Sequence, residues 1–327
     1  MSSPMKAYVL TASGPRIVEH ERPQPRPTDV LMRVRACALN RVDLAMAQGH
    51  VHGAAGGIGA VLGVEWAGEV VELGAEVTRI KPGDRVMCSG AGAFAEFAVA
   101  DWGRVLPIPD AMSDAQAAAL PVALQTMHDA VVTHGQLKAG DSVLIQGASS
   151  GVGLMGLRIA KHQGARLVLG SSTNAERRAR LSEFGADLAI DSADPSWVQR
   201  VLEATDGKGV DLVVDQVAGA LFNANMKATR ILGRIVNVGR LGGARAEFDF
   251  DLHAYRRLSY VGVTFRTRSR EEVREIVRKL RADLWDPLVE GRLDLPIDRV
   301  FAFHDIGAAL ERMRANQHFG KIVIELP

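Results

Sequence analysis

The feature that most constrains this chain is a change of rhythm near residue 125. Before it, short β-prone runs follow one another with turn residues between them. After it, strand-like runs alternate with helical ones, the pattern of a parallel sheet flanked by helices. Ser142-Val143-Leu144-Ile145 reads as the first such strand and Leu154 to His162 as the helix behind it. Between them lies Gly151-Val152-Gly153-Leu154-Met155-Gly156, a G-x-G-x-x-G in the strand-to-helix setting that gives the motif its meaning. Glycines there let the backbone approach a pyrophosphate closely, and the helix N-terminus aims amide donors and positive dipole at it. A dinucleotide site is therefore expected, with Ser149, Ser150, Gly151, Val152 and Gly153 at the pyrophosphate.

The first region predicts strands at Val30–Val34, Ala67–Val71, Arg85–Met87 after the turn Lys81-Pro82-Gly83-Asp84, and Ala93–Val99. These suggest a compact barrel or sandwich. The second region continues with strands at Arg166–Leu169, Val210–Val214, Arg234–Val238 and Tyr260–Val263, and a charged helix from Ala175 to Phe184. Ser269 caps a helix whose apolar face is Val273, Ile276, Val277, Leu280 and Leu284. A helix Ile306 to Met313 and a strand Lys321–Ile324 close the chain, and this tail is expected to pack on the N-terminal region. Ala54-Ala55-Gly56-Gly57-Ile58-Gly59 imitates a phosphate loop, but no strand precedes it and no helix follows. It reads as a flexible loop, with Gly49 to Ala60 expected along one side of the substrate pocket and Trp66 nearby, more a core residue than a platform for substrate.

With 327 residues, 47% hydrophobic and 24% charged, the chain has room for two domains. A formal net charge of +1 leaves no electrostatic footprint for nucleic acid or an anionic membrane. No apolar run reaches the roughly 18 residues of a membrane span. Met1-Ser2-Ser3-Pro4-Met5 lacks the pattern of a signal peptide, and Met5 serves as well as Met1 for a start. Cys37 and Cys88 are too few for a disulfide framework or a four-cysteine zinc site, which points to a reducing, cytoplasmic setting.

About 20 residues beyond the glycine motif, where NAD enzymes place an Asp or Glu for the ribose hydroxyls, stand Ser171 and Ser172, with Arg177 and Arg178 soon after. A carboxylate would repel a 2′-phosphate, whereas hydroxyls and a guanidinium would bind it, so NADPH is expected over NADH, with Arg177 on the phosphate. The alternative is that both arginines are solvated helix charges. Ligands of open parallel sheets bind beyond the carboxyl ends of the strands, which places Val217, Val238, Gly239 and Arg240 at the nicotinamide half.

Asn40-Arg41-Val42-Asp43, Gly63-Val64-Glu65-Trp66-Ala67-Gly68-Glu69-Val70, Lys81-Pro82-Gly83-Asp84-Arg85-Val86, Ala148-Ser149-Ser150-Gly151-Val152-Gly153 and the closing Phe319-Gly320-Lys321-Ile322-Val323 occur in one order. In this the chain resembles the medium-chain dehydrogenases/reductases, most closely the quinone oxidoreductases and zeta-crystallin, over nearly its whole length. The resemblance implies an α/β protein: a GroES-like β-barrel catalytic domain at 1–124 with 269–327, and a Rossmann domain, a doubly wound parallel sheet, at 125–268. It also implies a homodimer.

The zinc alcohol dehydrogenases of that superfamily carry Cys where this chain has Asn40 and His where it has Val64, and insert a cysteine-rich lobe that is missing here. Cys37, His50, His52 and Glu65 could be assembled on paper, but catalytic zinc is not expected. Both cysteines read as buried small residues.

Without a Lewis acid, hydride donation from NADPH to an electron-poor acceptor is the natural chemistry. The resemblance places Asn40 and Asp43 near the nicotinamide and its ribose, and Thr126 in the same region. Asn40 would orient substrate through its amide, and Asp43 has local loop structure as its alternative role. Where the family often reads Thr-Ala-Tyr-Tyr, this chain has Thr126-Met127-His128-Asp129. His128 is a candidate proton donor, or else a hydrogen-bonded helix histidine. A family tyrosine that helps hold the adenosine phosphate is replaced by Asp191-Ser192, which counts against NADPH without reversing the preference. The leading expectation is a quinone reductase. An NADPH-dependent reductase of activated alkenes is the second, and a non-catalytic NADPH-binding protein the third.

Overall fold

The computed structural model describes residues 4–53 and 55–327, so the first three residues and Ala54 lie outside the description. The chain divides into two compact units. The first runs to Val122 and regains Phe265–Trp285 and Asp294–Pro327; the second comprises Ala123–Thr264 with Asp286–Leu293.

In the first unit, Met5–Thr11 and Gly14–His20 form an antiparallel hairpin. The main sheet has seven strands, with Asp29–Ala38 at its centre, paired to Glu65–Leu73, Phe97–Asp101 and Lys321–Glu325. The tail does pack there: Val323 registers with Ala38 and Ile324 with Cys37. Leu31, Met32, Trp66, Met87 and Phe94 are fully buried, each stabilising the fold by about 1.5–3 kcal/mol for its apolar surface. Trp66 is thus a core residue and offers no platform to a substrate.

Ala93–Val99 departs from expectation, because the strand begins only at Phe97. Ala93, Phe94 and Ala95 form instead a buried loop on the sheet, where Tyr8 N–H donates to Phe94 O and Phe94 N–H to Leu62 O. Gly63 makes room for it: it sits at φ +92°, and a Cβ there would meet the Phe94 ring at 2.5 Å. The imitation phosphate loop is a tight hairpin, with Val51–His52 paired to Ala55–Gly56. Ala54, the start of that motif, is among the residues outside the description.

Ser269 begins the helix Arg270–Val289 as expected. Its Oγ accepts from Glu272 N–H and the Glu272 carboxylate accepts from Ser269 N–H, a reciprocal cap. Val273, Ile276, Val277, Leu280 and Leu284 are all buried. Arg274 grips Asp101 with two parallel bonds of 2.8 and 2.7 Å, which ties this helix to the strand Phe97–Asp101.

The second unit is a six-stranded parallel sheet. Its strands, in chain order, are Ser142–Gln146, Leu167–Ser171, Leu188–Ile190, Val210–Asp215, Thr229–Asn237 and Ser259–Gly262. Their order across the sheet is third, second, first, fourth, fifth, sixth, the doubly wound arrangement, so the direction of winding reverses between the first strand and the fourth. The strands are nearly continuous apolar runs because helices cover both faces; Leu144, Leu169, Val213 and Ile235 are fully buried. The charged helix breaks in two, Ala175–Ala179 and a tighter turn Leu181–Phe184. Only the second piece is anchored, by buried Leu181 and Phe184; the first has no buried residue to hold it in register.

Candidate active site

The glycine motif opens the helix Gly151–His162 directly after the first strand of the parallel sheet. Ser150 is its N-cap, accepting from Gly153 N–H at 3.0 Å. The amides of Gly151 and Val152 precede the first intrahelical bond, Leu154 N–H to Ser150 O, and are the helix-terminal donors that an anion at this end would use. A Cβ on Gly153 would lie 2.6 Å from both Ala148 Cα and Gly147 O, so the loop's own backbone occupies the space that glycine leaves free. That close approach of helix to strand is what holds the two donors in place.

Beneath the loop runs a polar network that the sequence reading did not single out. Ser171 Oγ donates to Gln146 Oε1 at 2.5 Å and accepts from Gly147 N–H. Gln216 Nε2 donates to the carbonyls of Gln146 and Gly147, and Gln216 Oε1 accepts from Ser150 Oγ. Gln146 continues to Asn225, and Asn225 to Asp215. Burial raises the pKa of Asp215, while the amides of Ala218 and Val217 and the Asn225 side chain favour its charged form. The available signal was chemical: Gln146 ends one apolar strand, and Asp215-Gln216 ends another, where a polar residue has to find a partner.

The same carboxylate fixes the turn after the fourth strand, since Val217 and Ala218 both donate their amides to it. Val238 N–H and Gly239 N–H donate to the Asp215 carbonyl, at 2.7 and 3.2 Å. A Cβ on Gly239 would meet Gln216 O at 2.5 Å. Val217, Val238 and Gly239 are thereby gathered at the carboxyl ends of the fourth and fifth strands, with Arg240 exposed beside them.

At the end of the second strand, buried Ser172 donates its hydroxyl to Ser149 Oγ at 3.0 Å. A guanidinium reaches this loop from Arg178, which donates to Ser172 O at 2.8 Å and pairs with Asp191 at 3.0 Å. Arg177 lies half-buried on the short helix, its backbone amide capped by Asn174. Thr126, half-buried, and His128, fully buried, lie on the helix Pro121–His128 in this second unit.

The first unit holds a separate buried cluster. Asn40 caps the helix Arg41–Ala47, where Asp43 accepts Asn40 N–H at 2.6 Å. The Asn40 amide is held at both ends, its Nδ2 donating to Glu65 Oε1 at 2.8 Å and its Oδ1 accepting from Lys321 Nζ at 3.0 Å. Lys321 also donates to Glu65, and the second Glu65 oxygen accepts from Val122 N–H at 2.8 Å. Glu65 is 0% and Lys321 3% exposed, so this is a buried ion pair, with Asn40 and Val122 N–H as further partners of the carboxylate and Asn40 Oδ1 as a second acceptor for the ammonium. Desolvation raises the Asp43 pKa to about 8, against the lowering effects of the Asn40 amide and Lys321. Sequence reasoning named Asn40 and Asp43 but missed Lys321, whose partners lie far from it along the chain.

This donor set does not suit zinc. The Glu65 oxygen and the Asn40 oxygen already share an ammonium, whose charge opposes a dication. The Cys37 and Cys88 thiols are buried and pushed well above their ordinary pKa by desolvation, away from the thiolate that zinc requires. A glycine-rich helix N-terminus directly after a parallel strand, by contrast, suits the pyrophosphate of a nicotinamide dinucleotide.

Comparison with known proteins agrees with the geometry. The family profile described as alcohol dehydrogenase GroES-like domain matches residues 26–110, and that described as zinc-binding dehydrogenase matches 151–282. The chain is 30% identical, over 94% of its length, to a mycocerosic acid synthase-like polyketide synthase of Mycobacterium tuberculosis, and spans 14% of that protein. Among solved structures, the quinone oxidoreductase of Pseudomonas syringae pv. Tomato DC3000 matches with TM-score 0.85 and 26% identity, covering 99% of this chain and all of the other. The enoyl reductase CurK shares the fold, with TM-score 0.86 at 23% identity and 99% of each chain covered. Two family profiles in sequence, a sheet order of the dinucleotide-binding type and full-length structural likeness agree: the chain belongs to the medium-chain dehydrogenase/reductase family of oxidoreductases.

Proposed function

We propose that the chain is an NADPH-dependent reductase that works without zinc and delivers hydride to a quinone. The observation that carries this reading is the glycine loop of the second unit, which opens a helix directly after the first parallel strand and is pinned by Ser150 to Gly153 N–H and to Gln216, with Arg178 bonded to Ser172 O at the end of the next strand. Likeness to a quinone oxidoreductase supports the acceptor.

When bound, NADPH supplies a hydride, that is two electrons, and the acceptor takes one proton besides, giving NADP and a hydroquinone. The residues of the chain bind and orient. Ser149, Ser150, Gly151, Val152 and Gly153 would hold the pyrophosphate, Ser171 and Ser172 with Arg177 and Arg178 the adenosine end, and Val217, Val238, Gly239 and Arg240 the nicotinamide end. Asn40 would help place the acceptor by contact, since both Nδ2 hydrogens are already donated, to Glu65 and Ala38 O, while Asp43, buried and bonded to the Asn40 backbone N–H, would fix the Asn40 loop. Thr126 would bond near the nicotinamide, and His128, buried on the same helix, is the candidate proton donor or else a hydrogen-bonded helix histidine.

A second reading, reduction of an activated alkene to a saturated carbonyl compound, uses the same hydride and a proton. Likeness to a mycocerosic acid synthase-like polyketide synthase, of which the chain spans 14%, favours it. A homodimer fits the exposed outer strand Ser259–Gly262, where Tyr260 stands out, and the nearby Phe250 and Tyr255, 78% and 75% exposed. No described helix is long and apolar enough to cross a membrane. A cytoplasmic setting fits two buried, unpaired cysteines. Rates of NADPH oxidation with quinones and with 2-enones test both readings. A quinone preference supports the first and an enone preference the second.

A further inference from the structure

Arg178 is the guanidinium on the loop proposed to hold the adenosine ribose, and it is already engaged. It donates to Ser172 O at 2.8 Å and is paired with Asp191 at 3.0 Å, both side chains being about three-quarters buried at 22% and 27% exposure. Asp191 follows directly on the third strand, Leu188–Ile190, and Ser172 directly on the second, Leu167–Ser171. Ser172 N–H donates to Ile190 O, so the backbone holds the two strand ends side by side. The other Asp191 oxygen accepts Ala193 N–H at 3.0 Å, which fixes the carboxylate in place.

We propose that Asp191 sets the choice between phosphorylated and unphosphorylated nicotinamide dinucleotides, by competing with the 2′-phosphate for Arg178. This rests on the cofactor reading above and deepens it. A 2′-phosphate reaching Arg178 meets a carboxylate on the same guanidinium, and like charges that close repel. A 2′-hydroxyl meets the same carboxylate as an acceptor for its proton. Asp191 therefore lowers the affinity for the phosphate and raises it for the hydroxyl, so that NADPH is preferred by a narrower margin than Arg178 alone would give. Arg178 keeps its bond to Ser172 O when Asp191 is neutralised, so the guanidinium remains oriented and becomes available.

The test uses 2′,5′-ADP and 5′-AMP as probes, titrated by calorimetry against the full chain and against Asp191→Asn, Asp191→Ser and Asp191→Asn/Arg178→Gln. Asparagine keeps an oxygen for Ala193 N–H, and a thermal melt of each variant checks the fold. The ratio of 2′,5′-ADP to 5′-AMP affinity is expected to rise at least about fivefold in both single variants, which is about 1 kcal/mol. It is expected to fall back when Arg178 is also removed. A smaller rise in the folded single variants, or a rise that persists without Arg178, overturns the role of Asp191 while the cofactor reading stands. Failure of the unaltered chain to bind either probe or either full dinucleotide overturns the cofactor reading, and this inference with it.

Discussion

Replacing Lys321 by methionine strands a charge. Glu65 is wholly buried and would keep two neutral donors, Asn40 Nδ2 and Val122 N–H, but lose its only cation among the described bonds. Removing one partner of a buried pair costs about 3–5 kcal/mol, because the remaining charge is left without compensation. Asn40 Oδ1 loses its donor in the same step. Glu65→Gln in the Lys321→Met background removes the stranded charge, keeps an acceptor for Val122 N–H and is expected to recover most of the loss. The coupling across the double-mutant cycle should reach about 2 kcal/mol. Urea unfolding followed by tryptophan fluorescence in a Trp197→Phe background, which leaves Trp66, Trp102 and Trp285 of the first unit, reports on this unit; each transition is fitted separately because the chain has two units. A cost below about 1 kcal/mol for Lys321→Met, or additivity within about 0.5 kcal/mol, would refute the reasoning.

Three other outcomes are expected. Gly153→Val pushes a side chain into Ala148 and Gly147, so binding of NADPH and NADH should both fall more than tenfold, on the order of 1.4 kcal/mol or more, as fluorescence titration would show; unchanged binding would mean that the loop carries no nucleotide. Asp43 holds its proton to about pH 8 in the fold and only to about 3.9 in the unfolded chain, so the fold binds the extra proton between those values. Its contribution to stability is full below about pH 3.9 and is lost as pH rises towards 8; Asp43→Asn should flatten that slope, of at most about 1.4 kcal/mol per pH unit, in urea titrations, and an unchanged slope would assign it elsewhere. His128→Gln should slow reduction of 2-enones more than of quinones if His128 donates the proton, whereas equal slowing would make it structural.

Much of the fold was legible because its signals are local. The G-x-G-x-x-G after Ser142–Ile145, the helical spacing from Val273 to Leu284 and the turn at Lys81–Asp84 each carry their meaning within a few residues. The misjudged pieces are those that tertiary contacts decide. Ala93–Ala95 alternates like a strand, yet Gly63 lets Phe94 pack as a buried loop. The helix from Ala175 breaks because only its second half reaches the core. At the candidate site the glycines and serines were readable, but their supports were less so. Lys321 pairs with Glu65 across most of the chain, and the bond from Arg178 to Ser172 O depends on how a short helix sits against that loop. Gln146 and Gln216 left a trace in the sequence, as polar residues at the ends of apolar strands.

A zinc-independent, NADPH-dependent reductase, as proposed, is tested most directly by the initial rate of NADPH oxidation, with NADH in parallel. It would be run against a panel of quinones and 2-enones, with no metal added and a chelator present. Turnover is expected to survive the chelator, with NADPH used at least as well as NADH and quinones favoured as acceptors. Turnover abolished by the chelator and restored by zinc, or no binding of either dinucleotide, would contradict it.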